Sequence, residues 1–149
     1  AFLKLAQTEG KIHGKDPEEI HFHEVGAMDS IVDIVGAFVL IEMLEIDRVY
    51  SSAVNVGSGV VKCAHGTLPV PAPATLELLK NFPIYSEGEE GELTTPTGAL
   101  ILSLLAEGFG PIPKGIVIKT GYGLGKKDRK SQCFTGSATR KRDRLSKGR

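Results

Sequence analysis

Residues 31–45, IVDIVGAFVLIEMLE, hold ten large apolar side chains in fifteen positions. The run is shorter than the roughly 20 residues a helix needs to cross a bilayer, and Asp33 and Glu42 interrupt it. It must therefore be covered by protein. The pattern predicts a helix N-capped by Ser30 and buried on nearly all sides, with Gly36 and Ala37 allowing close approach of neighbours. Such a helix commits the rest of the chain to supplying elements on several sides of it.

Those elements are legible from punctuation. Phe2, Leu3 and Leu5, followed by Ala6 and Ile12, read as the end of a helix, so the chain is expected to lack the beginning of its domain. Asp16, Pro17, Glu18 and Glu19 give a helix-start signature, with an Asp cap and Pro at the first position. Residues 48–56 and 60–63 are β-like and separated by Gly57, Ser58 and Gly59, which invites a hairpin or bulge. Helices are expected at 74–80, after Pro73, and at 98–107, where Gly108 begins a break. Residues 87–92, EGEEGE, read as a solvated loop and 116–120 as a last strand. Helices alternating with short strands predict an α/β or α+β domain, a short mixed sheet packed with about four helices. The length and a hydrophobic fraction of 41% suffice for one sizeable core, hence a single domain.

A net charge of zero hides a segregation. Residues 1–125 carry eight Lys or Arg against sixteen Asp or Glu, whereas residues 126–149 carry ten against two. The tail, KKDRKSQCFTGSATRKRDRLSKGR, has four hydrophobic residues in twenty-four and is expected to be disordered. It lacks the interleaved aromatics of a nucleic-acid-binding segment, so no specific nucleic-acid partner is expected. Two cysteines, Cys63 and Cys133, exclude a disulfide framework and a thiolate-rich metal site. Residues 1–11 show no secretory pattern, no membrane contact is expected, and the cytoplasm is the expected location.

Ligand-type residues are densest at His21, His23, Glu24, Asp29 and Asp33. Imidazoles with carboxylates suit nickel, zinc, iron or manganese. In an extended segment His21 and His23 project from one face; a helical reading of the same six residues also stands. Asp33 follows Ser30 by three residues, so it reads either as a ligand or as part of an S-x-x-D capping box. His65, in CAHGT, reads as a metal ligand, a general base or a turn histidine. Cys63 reads as a buried small hydrophobe. Thr94, Thr95, Pro96, Thr97 and Gly98 place hydroxyls and backbone amides at a helix start, which reads first as a good N-cap and second as a phosphate seat. The glycine-rich stretches 57–59 and 121–125 match no nucleotide-binding fingerprint.

Three long strings narrow these alternatives. HFHEVGAMDSIVDIVGA at 21–37, CAHGTLPVPAPATLELL at 63–79 and ELTTPTGALIL at 92–102 resemble the LarC nickel-insertion family in order and spacing, and GFGPIP at 108–113 and GYGLG at 121–125 continue the match. The resemblance covers nearly all of residues 1–125 and ends at Lys126, so residues 1–125 are expected to be a LarC-like N-terminal and central domain. Residues 126–149 then read as a basic tail, disordered or from a shifted reading frame.

The resemblance implies a nickel chelatase-type lyase activity in the full-length protein. Nickel is inserted into pyridinium-3,5-bisthiocarboxylic acid mononucleotide, with CTP and manganese or magnesium, to make a nickel pincer cofactor. It also implies a partner in the C-terminal domain of the family, which this chain lacks and which is associated with CTP. Residue roles are assigned from chemistry and motif position: His21, His23, Asp29 and Asp33 as metal ligands, His65 and Glu24 as catalytic groups, and Thr95, Thr97 and Gly98 as the seat of the substrate phosphate. A homo-oligomer is compatible with the sequence. The competing readings are a nickel-storing metallochaperone module and a metal-independent interaction domain.

Overall fold

The computed structural model describes residues 1–20, 28–63, 66–88, 90–124 and 133–140. It divides into two compact units, Ala1–Pro111 and Ile112–Arg149. Among the described residues no helix is long and apolar enough to cross a membrane.

The first unit opens with helix α1, Phe2–His13, which buries Leu5, Ala6, Thr8 and Gly10. The Thr8 hydroxyl satisfies itself by donating to the Lys4 carbonyl at 2.9 Å, which lets a polar residue sit inward. Gly14 ends the helix in the left-handed conformation, φ 64° and ψ 33°, and its amide donates to the Gly10 carbonyl. The Asp16 cap forms as the sequence predicts, its carboxylate accepting from the Glu18 amide at 2.9 Å. It starts only a single 3-10 turn, Pro17–Glu19.

Helix α2 spans Met28–Met43 and differs from expectation in two ways. It begins before Ser30, which is therefore an internal residue and not its N-cap. It is also not buried all round: Ile34 alone is fully buried, with Ile31, Ala37, Phe38 and Ile41 half-buried on the same side. Helix α3, Pro73–Leu78, starts on Pro73 and turns Ala74, Thr75 and Leu78 inward. Helix α4, Pro96–Leu105, buries Ala99 and Leu100. These helices meet in a core of Leu5, Ile34, Val54, Val56, Leu78, Leu79, Ala99 and Leu100. Phe82 and Phe109 close one side of it, edge to face with ring centroids 4.8 Å apart.

The β-like run at 48–56 is two strands, because its halves serve different partners. Strand β1, Val49–Ser51, runs parallel to β8, Ala106–Phe109. Strand β2, Val54–Asn55, runs parallel to β6, Ile84–Tyr85. Pairing with β1 claims the backbone of residues 106–109, so α4 stops at Leu105 instead of continuing to Glu107. Strand β3, Gly57–Ser58, pairs antiparallel with β7, Gly91–Glu92, which brings the end of the expected solvated loop onto the domain. Strands β4, Val60–Cys63, and β5, Gly66–Pro69, form an antiparallel ladder in register Val60↔Pro69. In the second unit β9, Ile116–Leu124, pairs antiparallel with β10, Cys133–Arg140. The architecture is the expected mix of helices and short strands of both orientations.

A carboxylate between two ammonium groups ties α1 to α3: Glu77 accepts from Lys11 and from Lys80. The hydrogen bond from Lys11, then that from Lys80, holds the Glu77 carboxyl below its usual range. The hydrogen bond to Glu77 in turn raises the Lys11 ammonium. A carboxyl lowered on folding contributes stability above its unfolded pKa and loses it as pH falls through the folded value. Glu77→Gln is therefore expected to lower the melting temperature slightly at pH 7. Titrating both proteins should show that gap closing as pH falls below about 4.5. A gap unchanged at acid pH would show that the substitution acts through packing and not through charge.

Candidate functional site

The starts of α2 and α4 converge on one groove of about 490 Å³, lined by Ser30, Asp33, Glu92, Thr95, Pro96, Thr97, Gly98 and Ile101. On the α4 side Thr95 is extended, φ −82° and ψ 163°, which frees its hydroxyl to accept from the Gly98 amide at 3.2 Å. The Thr95 carbonyl accepts from Ala99 at 2.9 Å, and Pro96 has no amide to satisfy. Thr95 is thus a genuine N-cap, and the Gly98 amide is already occupied. Thr97 is half-buried in the groove wall.

On the α2 side, helix geometry puts Ser30 and Asp33 one turn apart on the same face. Because Ser30 is inside the helix, the capping-box role for Asp33 does not apply, and Asp33 lines the groove instead. Asp29 does not line it; its carboxylate accepts from the Ser30 amide at 3.2 Å. His21, His23, Glu24 and His65 lie outside the described residues, as does any test of their distance from Thr97. Among the described residues no group of three or more His, Cys, Asp or Glu side chains is placed to hold a metal ion.

Two polar groove residues escaped the sequence reading. Ser30 was hidden by its apparent role as a cap. Glu92 was read as the end of a solvated loop; the signal available was its place at the head of ELTTPTGALIL. Asn55 holds this wall in position. Its side-chain oxygen accepts from the Gly57 amide at 3.1 Å and its amide donates to the Glu87 carbonyl at 2.9 Å. The Asn55 carbonyl accepts from the Thr94 hydroxyl at 2.7 Å, so Thr94 is structural. The register Gly57↔Glu92 then sets Glu92 opposite Gly57.

The groove offers carboxylates from Asp33 and Glu92, hydroxyls from Ser30, Thr95 and Thr97, and an apolar patch from Pro96 and Ile101. Oxygen donors of this kind suit hydroxyl groups and divalent cations, while α4 contributes a positive helix end.

The chain is similar to proteins of one kind. A family model described as nickel insertion protein matches residues 1–135. The pyridinium-3,5-bisthiocarboxylic acid mononucleotide nickel insertion protein of Desulfitobacterium hafniense is 58% identical over 127 residues, 85% of this chain and 32% of the relative. Its namesake in Clostridium acetobutylicum is 53% identical over 127 residues, 85% of this chain and 30% of the relative. Its namesake in Acetivibrio thermocellus is 46% identical over 146 residues, 94% of this chain and 36% of the relative, so similarity reaches into the basic tail. The chain spans about a third of the length of these curated relatives. No solved structure matches it.

Proposed function

This chain belongs to the nickel insertion protein family, and we propose that it forms the part of a nickel insertase that holds Ni(II) beside a pyridinium-3,5-bisthiocarboxylic acid mononucleotide. The observation that supports this reading is the convergence of α2 and α4 on one groove immediately after the histidine string. His21 and His23 serve as nickel ligands, with Asp33 from the groove and Asp29 one turn earlier on α2. Neutral imidazole with ionised carboxylate suits nickel near neutral pH, and a set that leaves positions open allows the ion to be passed on.

Making a carbon–nickel bond replaces a ring C–H, so a base must accept the departing proton. His65 and Glu24 fill that role. The phosphate of the mononucleotide sits at the start of α4 against Thr97 and the helix dipole. Because Thr95 already occupies the Gly98 amide, Thr95 and Gly98 act there by shaping the turn. CTP and its manganese or magnesium belong to the portion of the full-length protein outside this chain. The reaction class is that of a lyase acting in the cytoplasm.

The span of one third of the relatives' length also favours a second reading, a metallochaperone module that binds nickel and leaves chemistry to the rest of the protein. Both readings require nickel binding; turnover with CTP separates them. Calorimetry with nickel on the native chain and on His21→Ala with His23→Ala should show a loss of affinity of at least about tenfold. Native binding should weaken below about pH 6 as the histidines protonate. Equal affinity in both proteins would remove His21 and His23 from the site.

A further inference from the structure

Helix α2 turns a second apolar face away from the core. At about 100° per residue, Met28, Val32, Val35, Val39 and Met43 share a stripe roughly 80° wide, with Leu40 about 60° to one side of it and Leu44 just after the helix end. All seven are exposed, Met28 and Met43 by 74% each and Val32 by 59%. A side chain built at Gly36, in the middle of the helix, meets nothing within 4 Å. The exposed apolar area is on the order of 700 Å², close to the roughly 800 Å² that each partner contributes to a standard interface. Isolated exposed leucines need no explanation, but a continuous stripe along a whole helix does.

Two observations identify what covers it. The chain spans about a third of the length of its curated relatives. The parallel pairs β1–β8 and β2–β6 are also unfinished, each having two strands among the described residues. Parallel ladders occur in sheets covered on both faces, and two strands alone are marginal. A second copy of this chain docking through α2 would cover the helix and leave those strands incomplete. Additional polypeptide carrying its own strands and helices completes both.

We infer that the outer face of α2 is the seam on which the remainder of the full-length polypeptide packs. Glu42 flanks the stripe on the side away from the groove, so the occupant presents apolar residues to the stripe and a basic residue to that margin, leaving Asp29 and Asp33 to the groove side. The seam runs along the helix that supplies Ser30 and Asp33 to the groove, and docking there fixes the position of that wall.

The test uses this chain and the full-length Desulfitobacterium hafniense relative, with the same changes at matching positions. A cysteine at Val35 (Val35→Cys), followed by thiol labelling and peptide mass analysis, should react rapidly in this chain and at least tenfold more slowly in the full-length protein. Val39→Lys should leave the melting temperature of this chain within about 2 °C and lower that of the full-length protein by at least about 5 °C. If the lysine variant of the full-length protein does not fold, the mild cysteine change still gives the answer. Equal labelling in both proteins means the face stays open and overturns the inference. Slow labelling in this chain, with a dimer mass abolished by Val39→Lys, assigns the face to a second copy and overturns it too.

Discussion

Leu100→Ala should lower the stability of the Ala1–Pro111 unit by about 3–5 kcal/mol and its melting temperature by more than about 10 °C. Leu100 is fully buried, packed in one cluster with Leu5 from α1, Ile34 from α2 and Leu78 from α3. Truncation removes the transfer free energy of three carbons and leaves a cavity between elements fixed by their own backbones, so the site cannot collapse to fill it. Val60→Ala is the control, since Val60 is 65% exposed and its loss should cost under about 0.5 kcal/mol. Urea unfolding of both variants decides the matter. A loss below about 1 kcal/mol for Leu100→Ala would mean that the core is too loosely packed to feel a missing isopropyl group.

Gly57→Ala should be nearly as damaging, by more than about 3 kcal/mol, for a different reason. Gly57 has φ +81°, and an added Cβ would lie 2.0 Å from the Gly91 carbonyl oxygen and 2.9 Å from the Leu93 nitrogen. Both obstacles are backbone, so no rotamer change relieves them and β3 must separate from β7. Gly59 is a built-in comparison: its φ is +87°, but the nearest atom to an added Cβ is in the Glu90 side chain at 3.7 Å. Gly59→Ala carries only the left-handed backbone cost of roughly 1–2 kcal/mol. The separation of β3 from β7 also displaces Glu92 from the groove, so Gly57→Ala should reduce ligand binding there before it unfolds the unit. Equal stability of the two alanine variants would show that the β3–β7 ladder is not close-packed.

Local chemistry was the legible part of this fold. Asp16 and Pro73 cap or start their elements as the sequence predicts, because each acts through its own backbone within four residues, while Thr95 caps a helix that starts at Pro96, two residues before the expected Gly98. Partner choice was not legible. Residues 48–56 look like one strand, and only the arrival of residues 84–85 and 106–109 splits them. The apolar run of α2 forecast burial correctly on the Ile34 side, but composition cannot say how many sides of the helix are covered. Asp33, Thr95, Thr97 and Gly98, named from residue type, line the groove. Glu92 was missed because its placement depends on a pairing with Gly57 that no local pattern announces.

The bonds that seat α1 carry a consequence for how the protein is made. Lys4 reaches the Ser103 carbonyl at 3.3 Å, 99 residues away, and Lys11 reaches Glu77, 66 residues away. Because α1 precedes these partners by 66 and 99 residues, its seat is complete only when both have been synthesised. Its apolar face is covered first by α3 and fully only when α4 joins the core. Contacts of such sequence separation require loops to close before they are rewarded, which slows folding and makes the final step cooperative. The core of the unit therefore does not close piece by piece along the sequence; it is complete only once residues 96–109 are present to cover Leu5 and Ile34.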